Sequence, residues 1–408
     1  MARVGPWRSL VSASVWGAEG REFESRRPDH HENARPRRGG RFCIRAGGRA
    51  MTGVLPDHAI EALIGRGAIT AEPAVLPEQV QPASLDLRLG PVAYRVRASF
   101  LAGQGRSVAE RIGEFEMHRI DLGDGAVLEK GCVYLVPLIE ALALPADISA
   151  VANAKSSTGR LDLLTRLITD GGTEFDRIAP GYAGPLWAEI CPRSFSVLVR
   201  PGMRLNQVRF RQGEAVLDDA ELAALHASEG LVSGTPVISG GLGFSVDLQP
   251  SAGPLVGYRA KPHTGVIDLD RIGAYDPAEF WDELHSREGR LILDPGAFYI
   301  LVSREAVTIP PGHAAEMAPY LAMVGEFRVH YAGFFDPGFG HGTAGGQGSR
   351  GVLEVRCHEA PFVLEHGQVV GRLVYERMAA PPARLYGADL ASNYQGQGLK
   401  LSKHFRAG

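Results

Sequence analysis

The sequence predicts a mainly β protein made of two tandem, related domains with a few short helices, and three observations carry that prediction. The first is a repeat. Leu128, Gly131, Tyr134, Glu140 and Pro145 in VLEKGCVYLVPLIEALALP recur at one constant offset as Leu293, Gly296, Tyr299, Glu305 and Pro310 in ILDPGAFYILVSREAVTIP. The same register returns where Glu189 falls opposite Glu354 and Gly202 opposite Gly367, while Ser84 and Asp86 match Ser245 and Asp247 with a small gap. Self-similarity of this kind marks one duplicated unit and has to be settled before any fold is assigned. The second observation is texture. Short apolar or alternating runs such as SLDLRLG, CVYLVPL, ISAVANA, FYILVSR and VVGRLVYER are bounded by Gly, Pro, Asp and Asn, the pattern of an antiparallel barrel or sandwich. The third is size: 408 residues, 45% of them hydrophobic, suffice for two domains that each bury a core.

The composition excludes several classes. A net charge of −3 offers no global basic excess for nucleic acid. No apolar run approaches the roughly 20 residues needed to cross a bilayer. Cys43, Cys132, Cys191 and Cys357 lie far apart and form neither a CxxC pair nor a closely spaced disulfide framework, so a reducing cytoplasm is the expected home.

Residues 1–50 are rich in Arg, contain no Lys and show no helical or strand period, so they read as a disordered or artefactual extension ahead of Met51. The first domain is placed at 51–230. It opens with a helix in PDHAIEALIGRGAI, with Asp57 near its start, Ile60, Leu63 and Ile64 on one face and Gly67 as its stop. A helix over Asp218 to Gly230 precedes the Ser- and Gly-containing VSGTPVISGGLG, where the boundary is drawn, and the second domain takes 231–408. Another helix is expected over DPAEFWDELHSREG, Asp276 to Gly289. Gly338 to Gly348 has no equivalent in the first copy and reads as a loop inserted in a hairpin.

The chemistry starts at AKSSTGR. Lys155, Ser156, Ser157 and Arg160 put two cations, two hydroxyls and a glycine in one tight turn that can surround an oligophosphate through charge-assisted bonds. An ordinary solvated turn contains the same residue types, so the string alone does not decide. Its setting does more: QPASLDLRLG stands upstream, DRIAPGYAGPLWAEI and RPGMRLNQ follow, a D-P-G turn precedes a strand glutamate, and SNYQGQGLKLSKHF closes the chain. In this ordered set, from Met51 to Phe405, the sequence resembles the deoxycytidine triphosphate deaminases, a branch of the trimeric deoxyuridine triphosphatase superfamily, in their long double-length form. It departs from them in having Lys155 where relatives usually have Arg, and Asn393 where they commonly have Lys.

The resemblance implies two tandem dUTPase-like, β-clip-type distorted barrels and hydrolytic deamination at C4 of cytosine. One carboxylate would deprotonate water and hand the proton on. That carboxylate is the strand glutamate after the D-P-G turn, and Glu354 and Glu189 both occupy the place. The second copy keeps FFDPGFG, with Asp336, but reads MAPYLAMVGE where the phosphate turn belongs; the first keeps KSSTGR but has Ala179 in place of the Asp. The halves are complementary. Lys155, Ser156, Ser157 and Arg160 are therefore expected to bind the triphosphate, and Asp336 and Glu354 to handle sugar and base, with Glu354 the general acid/base and Glu189 the second choice. Gln207 is a further candidate contact, and Tyr386, Tyr394 and Gln397 a tail that closes over the nucleotide. With Lys absent at 393, Lys400 or Lys403 is left to supply the tail's phosphate contact.

The implied substrate is dCTP, accompanied by Mg2+, with dTTP a candidate inhibitor and a homo-oligomer, trimer or dimer, the expected assembly. A zinc deaminase would need HxE and PCxxC arrangements, and neither occurs. Two rival readings stand beside this one. The first is a bifunctional enzyme that continues to dUMP and pyrophosphate, with Tyr182 stacked under the sugar. The second is a non-catalytic nucleotide-binding regulator.

Overall fold

The computed structural model describes residues 52–249, 253–286, 288–319, 327–329, 333–344, 346–387 and 398–407. The extension over 1–50, Tyr394 and Gln397 lie outside the described residues.

The repeat in sequence is a repeat in strands. Val133–Ala143, Ile148–Ala154, Ala183–Pro192 and Arg204–Gln212 return as Phe298–Val307, His313–Pro319, Ser349–Cys357 and Val369–Arg377. The pairing register is copied as well: Glu189 lies opposite Leu135 and Glu354 opposite Ile300, each residue 165 positions from its counterpart. Gly131 and Gly296, one repeat position, hold φ of 78° and 71° in the turns before the long strands, a backbone that side chains other than glycine rarely adopt.

Each copy closes two antiparallel sheets around its core. In the first copy one sheet runs through Ile148–Ala154, Arg204–Gln212 and Ser84–Arg88, and the other through Leu163–Thr169, Ala183–Pro192, Val133–Ala143 and Val92–Val96. Alternation sorts the side chains: Val208 and Phe210 point into the first core, whereas Gln207, Arg209 and Arg211 point out of it. The architecture is the mainly β, barrel-like pair expected, with few short helices.

Two helices form where the sequence sets helix start and stop signals. Asp57–Gly65 buries Ile60 and Leu63, and Asp219–Glu229 is capped by the Asp218 side chain at one end and by Gly230, at φ 65, at the other. Leu222 of the latter packs with Leu217 and Leu231 into the second core, although the sequence reading put this helix in the first domain. A third helix, Val108–Phe115, was not anticipated; its reciprocal Ser107 and Glu110 capping box is legible as S-x-x-E.

The helix expected over Asp276 to Gly289 is a correction. Asp276 and Pro277 start a single turn, Pro277–Phe280, and the chain then becomes the strand Trp281–His285, paired with Leu255–Ala260. Local helix signals lose here to aromatic burial. Trp281 and Phe280 join Phe195 and Phe405 in a cluster whose ring centroids lie 5.2 Å (Phe195 to Trp281) and 5.5 Å (Phe280 to Phe405) apart. The cluster carries the first core across into the second copy and the C-terminal segment, where Leu401 and Phe405 are buried.

The outward face of Arg204–Gln212 meets the second copy through charge. Arg209, fully buried, donates Nη1 to Ala315 O at 3.0 Å and Glu376 Oε2 at 3.1 Å, and Nη2 to Asp336 Oδ1 at 3.2 Å and Phe335 O at 3.4 Å. Its guanidinium stands 4.1 Å from the centroid of the Phe334 ring. Arg211 pairs with Glu376 at 2.5 Å and Glu316 at 3.0 Å. Arg211 and Glu376 are one repeat position, so the duplicated surfaces meet with opposite charges at the same place.

Removing one partner of a buried ion pair leaves the other charge uncompensated. Arg209→Ala is therefore expected to lower the unfolding free energy in urea by about 3–5 kcal/mol. A loss below about 1 kcal/mol, the size of an exposed pair, would show that other contacts hold the copies together.

Candidate active site

The KSSTGR turn forms where Ile148–Ala154 ends. Lys155 N–H still donates to Leu205 O, and the Lys155 carbonyl then accepts from Thr158 and Gly159, winding Ser156–Gly159 into one helical turn. Lys155 Nζ pairs with Asp86 of Ser84–Arg88, which lies across Arg204–Gln212 in the same sheet. Ser156 is half-buried and Ser157 buried. Arg160, buried at the far end, gives Nη1 to Lys400 O at 3.1 Å.

The second copy supplies the other side. Arg160 Nε lies 3.8 Å from Glu354 Oε1, and Arg356 Nη2 lies 2.5 Å from Asp162 Oδ2, which also accepts from Ser194 Oγ at 2.6 Å. Glu354 and Arg356 are two apart on the strand Ser349–Cys357 and so share a face; Arg160 and Asp162 are two apart on the turn. The two pairs run in opposite sense, arginine to acid and acid to arginine. A slip of the strand along the turn would set like charges together, so the pairs fix its register.

Glu354 is buried, and burial raises its carboxyl to about 7, with the Arg160 cation opposing. A carboxyl at that position holds or releases a proton at little cost near neutral pH, as an acid/base that acts twice requires. Asp336 is also buried; burial pushes its carboxyl up while Arg209 pulls it down, and Asp86 and Lys155 are near enough to contribute. The D-P-G turn therefore approaches the Lys155 end of the phosphate turn, and Glu354 its Arg160 end.

Gln207 lies opposite both Asp86 and Asn153 in its sheet and donates Nε2 to Asn153 Oδ1 at 3.0 Å. Tyr386 stands on the D-P-G turn, with its N–H on Pro337 O at 2.9 Å and its ring centroid 5.7 Å from that of Phe339. The C-terminal segment returns to the first copy, where Ser402 Oγ donates to Ser157 O at 2.8 Å. Lys400 is exposed there and Lys403 half-buried.

Glu189, at the repeat position of Glu354, has a different setting. Arg166 of its own copy holds Oε1 through Nη2 at 2.5 Å and Nε at 3.1 Å, and the guanidinium lies 3.6 Å from the Phe175 ring centroid. Tyr182 commits its hydroxyl to its own hairpin, donating to Pro185 O at 2.6 Å and accepting from Asp170 N–H at 3.2 Å. Among the described residues no group of three or more His, Cys, Asp or Glu side chains is placed to hold a metal ion.

Sequence reasoning missed Arg209, Arg166 and the Arg356 to Asp162 bridge. Alternation in RLNQVRFRQ marks a polar face, which is a signal for Arg209; nothing local marks the other two.

Comparison with known proteins points one way. The model of the 2'-deoxycytidine 5'-triphosphate deaminase (DCD) N-terminal domain matches residues 51–214, and that of the C-terminal domain matches 218–405. A dCTP deaminase of Halorubrum lacusprofundi is 29% identical over 162 residues, 39% of this chain and 77% of that one. A "dCTP deaminase, dUMP-forming" of Clavibacter michiganensis is 36% identical over 160 residues, 37% of this chain and 74% of that one, and one of Beutenbergia cavernae is 31% identical over 160 residues, with 77% of its length covered. The crystal structure of 2'-deoxycytidine 5'-triphosphate deaminase from Agrobacterium tumefaciens is 58% identical and superposes with a TM-score of 0.77, covering 80% of this chain and 99% of that one.

The raised carboxyl of Glu354 has a consequence for stability. Between its ordinary value of 4.5 and about 7, the folded protein keeps a proton that the unfolded chain has released, so stability falls as pH rises through that window. The melting temperature of the wild type is expected to drop relative to Glu354→Gln from about pH 5 to about pH 8. A difference that does not change with pH would place the carboxyl in the ordinary range.

Proposed function

The chain belongs to the dCTP deaminase family, and on that premise we propose that it converts dCTP and water to dUTP and ammonia at a site assembled from both of its repeats. The observation that carries the split assignment is the approach of Arg160, from the first repeat, to Glu354, from the second, at 3.8 Å. In this reading Lys155, Ser156, Ser157 and Arg160 take the triphosphate. Asp336, whose Oδ1 is held by Arg209, turns Oδ2 to the sugar, with Gln207 and Tyr386 flanking the nucleotide.

Glu354 is the general acid/base. Its carboxylate takes a proton from water as the water oxygen bonds to C4, and delivers that proton to N3 of the ring. It then moves the remaining hydroxyl proton to the amino nitrogen, and the C4–N bond breaks to release ammonia. Glu189 is structural in this reading, because Arg166 of its own copy holds its Oε1 and pairs with its charge. Mg2+ enters as part of the substrate, held by phosphate oxygens: Asp86 and Asp336, the acids at the Lys155 end of the turn, are engaged by Lys155 and Arg209.

The relatives named dUMP-forming favour a second reading, in which dUTP is carried on to dUMP and pyrophosphate. Incubation of the protein with dCTP and Mg2+, with nucleotides resolved by anion exchange, separates the two. Ammonia equimolar with dUTP supports the first, dUMP with pyrophosphate the second, and binding without ammonia release would overturn both in favour of a regulator. Within the first reading, Glu354→Gln is expected to lower kcat by roughly 10²–10⁴-fold and Glu189→Gln to leave it near wild type; the reverse result would move the base to the first repeat. kcat/KM is expected to fall as pH drops below about 7, where Glu354 becomes protonated.

A further inference from the structure

We propose that Asp57, in the N-terminal helix of the first repeat, is a positioning residue that sets Asp336 of the second repeat against the sugar of the nucleotide. The inference rests on the reading above, in which Asp336 takes the sugar.

The sequence marks Asp57 as a helix start, yet its carboxylate is committed to a segment 326 residues further on. Oδ1 accepts from Ala383 N–H at 2.9 Å and from His58 N–H at 2.8 Å, and Oδ2 accepts from Arg384 N–H at 3.0 Å and Arg384 Nε at 3.1 Å. Glu61, one helical turn on, takes Arg384 Nη2 at 3.2 Å, so one face of the helix grips one guanidinium with two acids. Asp57 is 1% exposed. Burial alone would raise its carboxyl, but the Ala383 N–H, the Arg384 side chain and the His58 N–H outweigh it and hold the carboxyl below the ordinary aspartate range. The helix is itself fixed to the first repeat, because Asp57 N–H donates to Pro82 O at 3.1 Å and Ile60 and Leu63 lie in the first core.

The gripped segment is the strap that leaves the strand Val369–Arg377 and backs the D-P-G turn. Ala379 N–H donates to Val54 O at 2.8 Å, and Pro381 and Pro382 stiffen the backbone between that bond and the Asp57 contacts. Just beyond Arg384, Tyr386 N–H donates to Pro337 O at 2.9 Å. Gly338, at φ 96°, makes room for the strap: a Cβ there would lie 3.1 Å from Leu385 Cβ and from Tyr386 O. Asp336, next to Pro337, is held on its other side by Arg209 at 3.2 Å. Both supports of Asp336 thus come from the first repeat, which also carries the phosphate turn, and together they set the distance from phosphates to sugar carboxylate. The one free hydroxyl on the sugar of dCTP is the 3′-OH, so Asp336 accepts a charge-assisted bond from it.

The test compares dCTP with 2′,3′-dideoxycytidine triphosphate, which lacks that hydroxyl, by steady-state kinetics and titration calorimetry. The proteins are the full-length wild type, Asp57→Ala, Asp57→Asn, Asp336→Asn and the double variant Asp57→Ala/Asp336→Asn. The wild type is expected to prefer dCTP roughly 10–100-fold, the range of one hydrogen bond to a charged group. Asp57→Ala should cut that preference roughly tenfold, with the loss confined to dCTP and the Ki of inorganic tripolyphosphate unmoved. In the Asp336→Asn background the same substitution should remove nothing further, because it acts through that carboxylate. Asp57→Asn keeps one oxygen for the Ala383 N–H and should show a smaller loss of the same kind; it carries the test if Asp57→Ala melts below the assay temperature. Equal losses on the two nucleotides, weakened tripolyphosphate, additive losses in the double variant, or a wild type without the preference would overturn the assignment. A wild type that releases no ammonia from dCTP, yet binds it with a preference that Asp57→Ala removes, overturns the deaminase reading alone; normal turnover with a preference that both Asp57 variants keep overturns this one alone.

Discussion

A guanidinium that has lost all contact with water must find acceptors within the fold, and among the described residues Arg209 finds them in the second repeat. Its four hydrogen bonds reach Ala315, the adjacent Phe335 and Asp336, and Glu376, on three segments of that repeat. Any rotation of one barrel on the other would strip several of these bonds at once, with the several-kcal/mol penalty of a buried unpaired charge. The D-P-G turn is thereby fixed beside the sheet that carries Asp86 and Lys155. From that placement follows the approach of the strand Ser349–Cys357 to the phosphate turn, where Arg160 meets Glu354 and Asp162 meets Arg356.

The duplication explains how one site can be shared by two halves. Each repeat provides the same scaffold, with a strand glutamate at the same register, but the surroundings have diverged. Glu189 is neutralised by direct hydrogen bonds from an arginine of its own sheet. Glu354 faces its arginine across the junction at 3.8 Å and burial dominates its protonation. Two carboxylates of identical backbone setting thus differ in chemistry because of which side chain stands beside them.

The C-terminal segment joins folding to function. Its hydrophobic anchors, Leu401 and Phe405, enter the first core next to Phe280 and Trp281, and complete burial of a side chain such as Phe contributes about 1.5–3 kcal/mol. That stabilisation fixes Lys400, Ser402 and Lys403 on a turn more than two hundred residues earlier in the chain. The tail reads as polar in sequence, and only the packing separates its anchors from its cations.

Short-range features were legible from the residues alone. The strand texture, the helix Asp57–Gly65 with its Gly67 stop and the capped helix after Asp218 are properties of neighbours along the chain, reported by period, capping and turn chemistry, while the repeat and the complementary loss of motif residues are read by aligning the chain with itself. Tertiary structure decided the rest. DPAEFWDELHSREG carries a helix start and still becomes a strand, because Phe280 and Trp281 gain more from distant aromatic partners than from a local hydrogen-bond ladder. The D-P-G turn upstream ranks Glu354 over Glu189 in the sequence, but only the register of strands far apart in sequence determines which one faces Arg160. The pairing of charges depends on distances across a folded junction, which one-dimensional order does not encode locally; it exists only once burial has set the two repeats against each other.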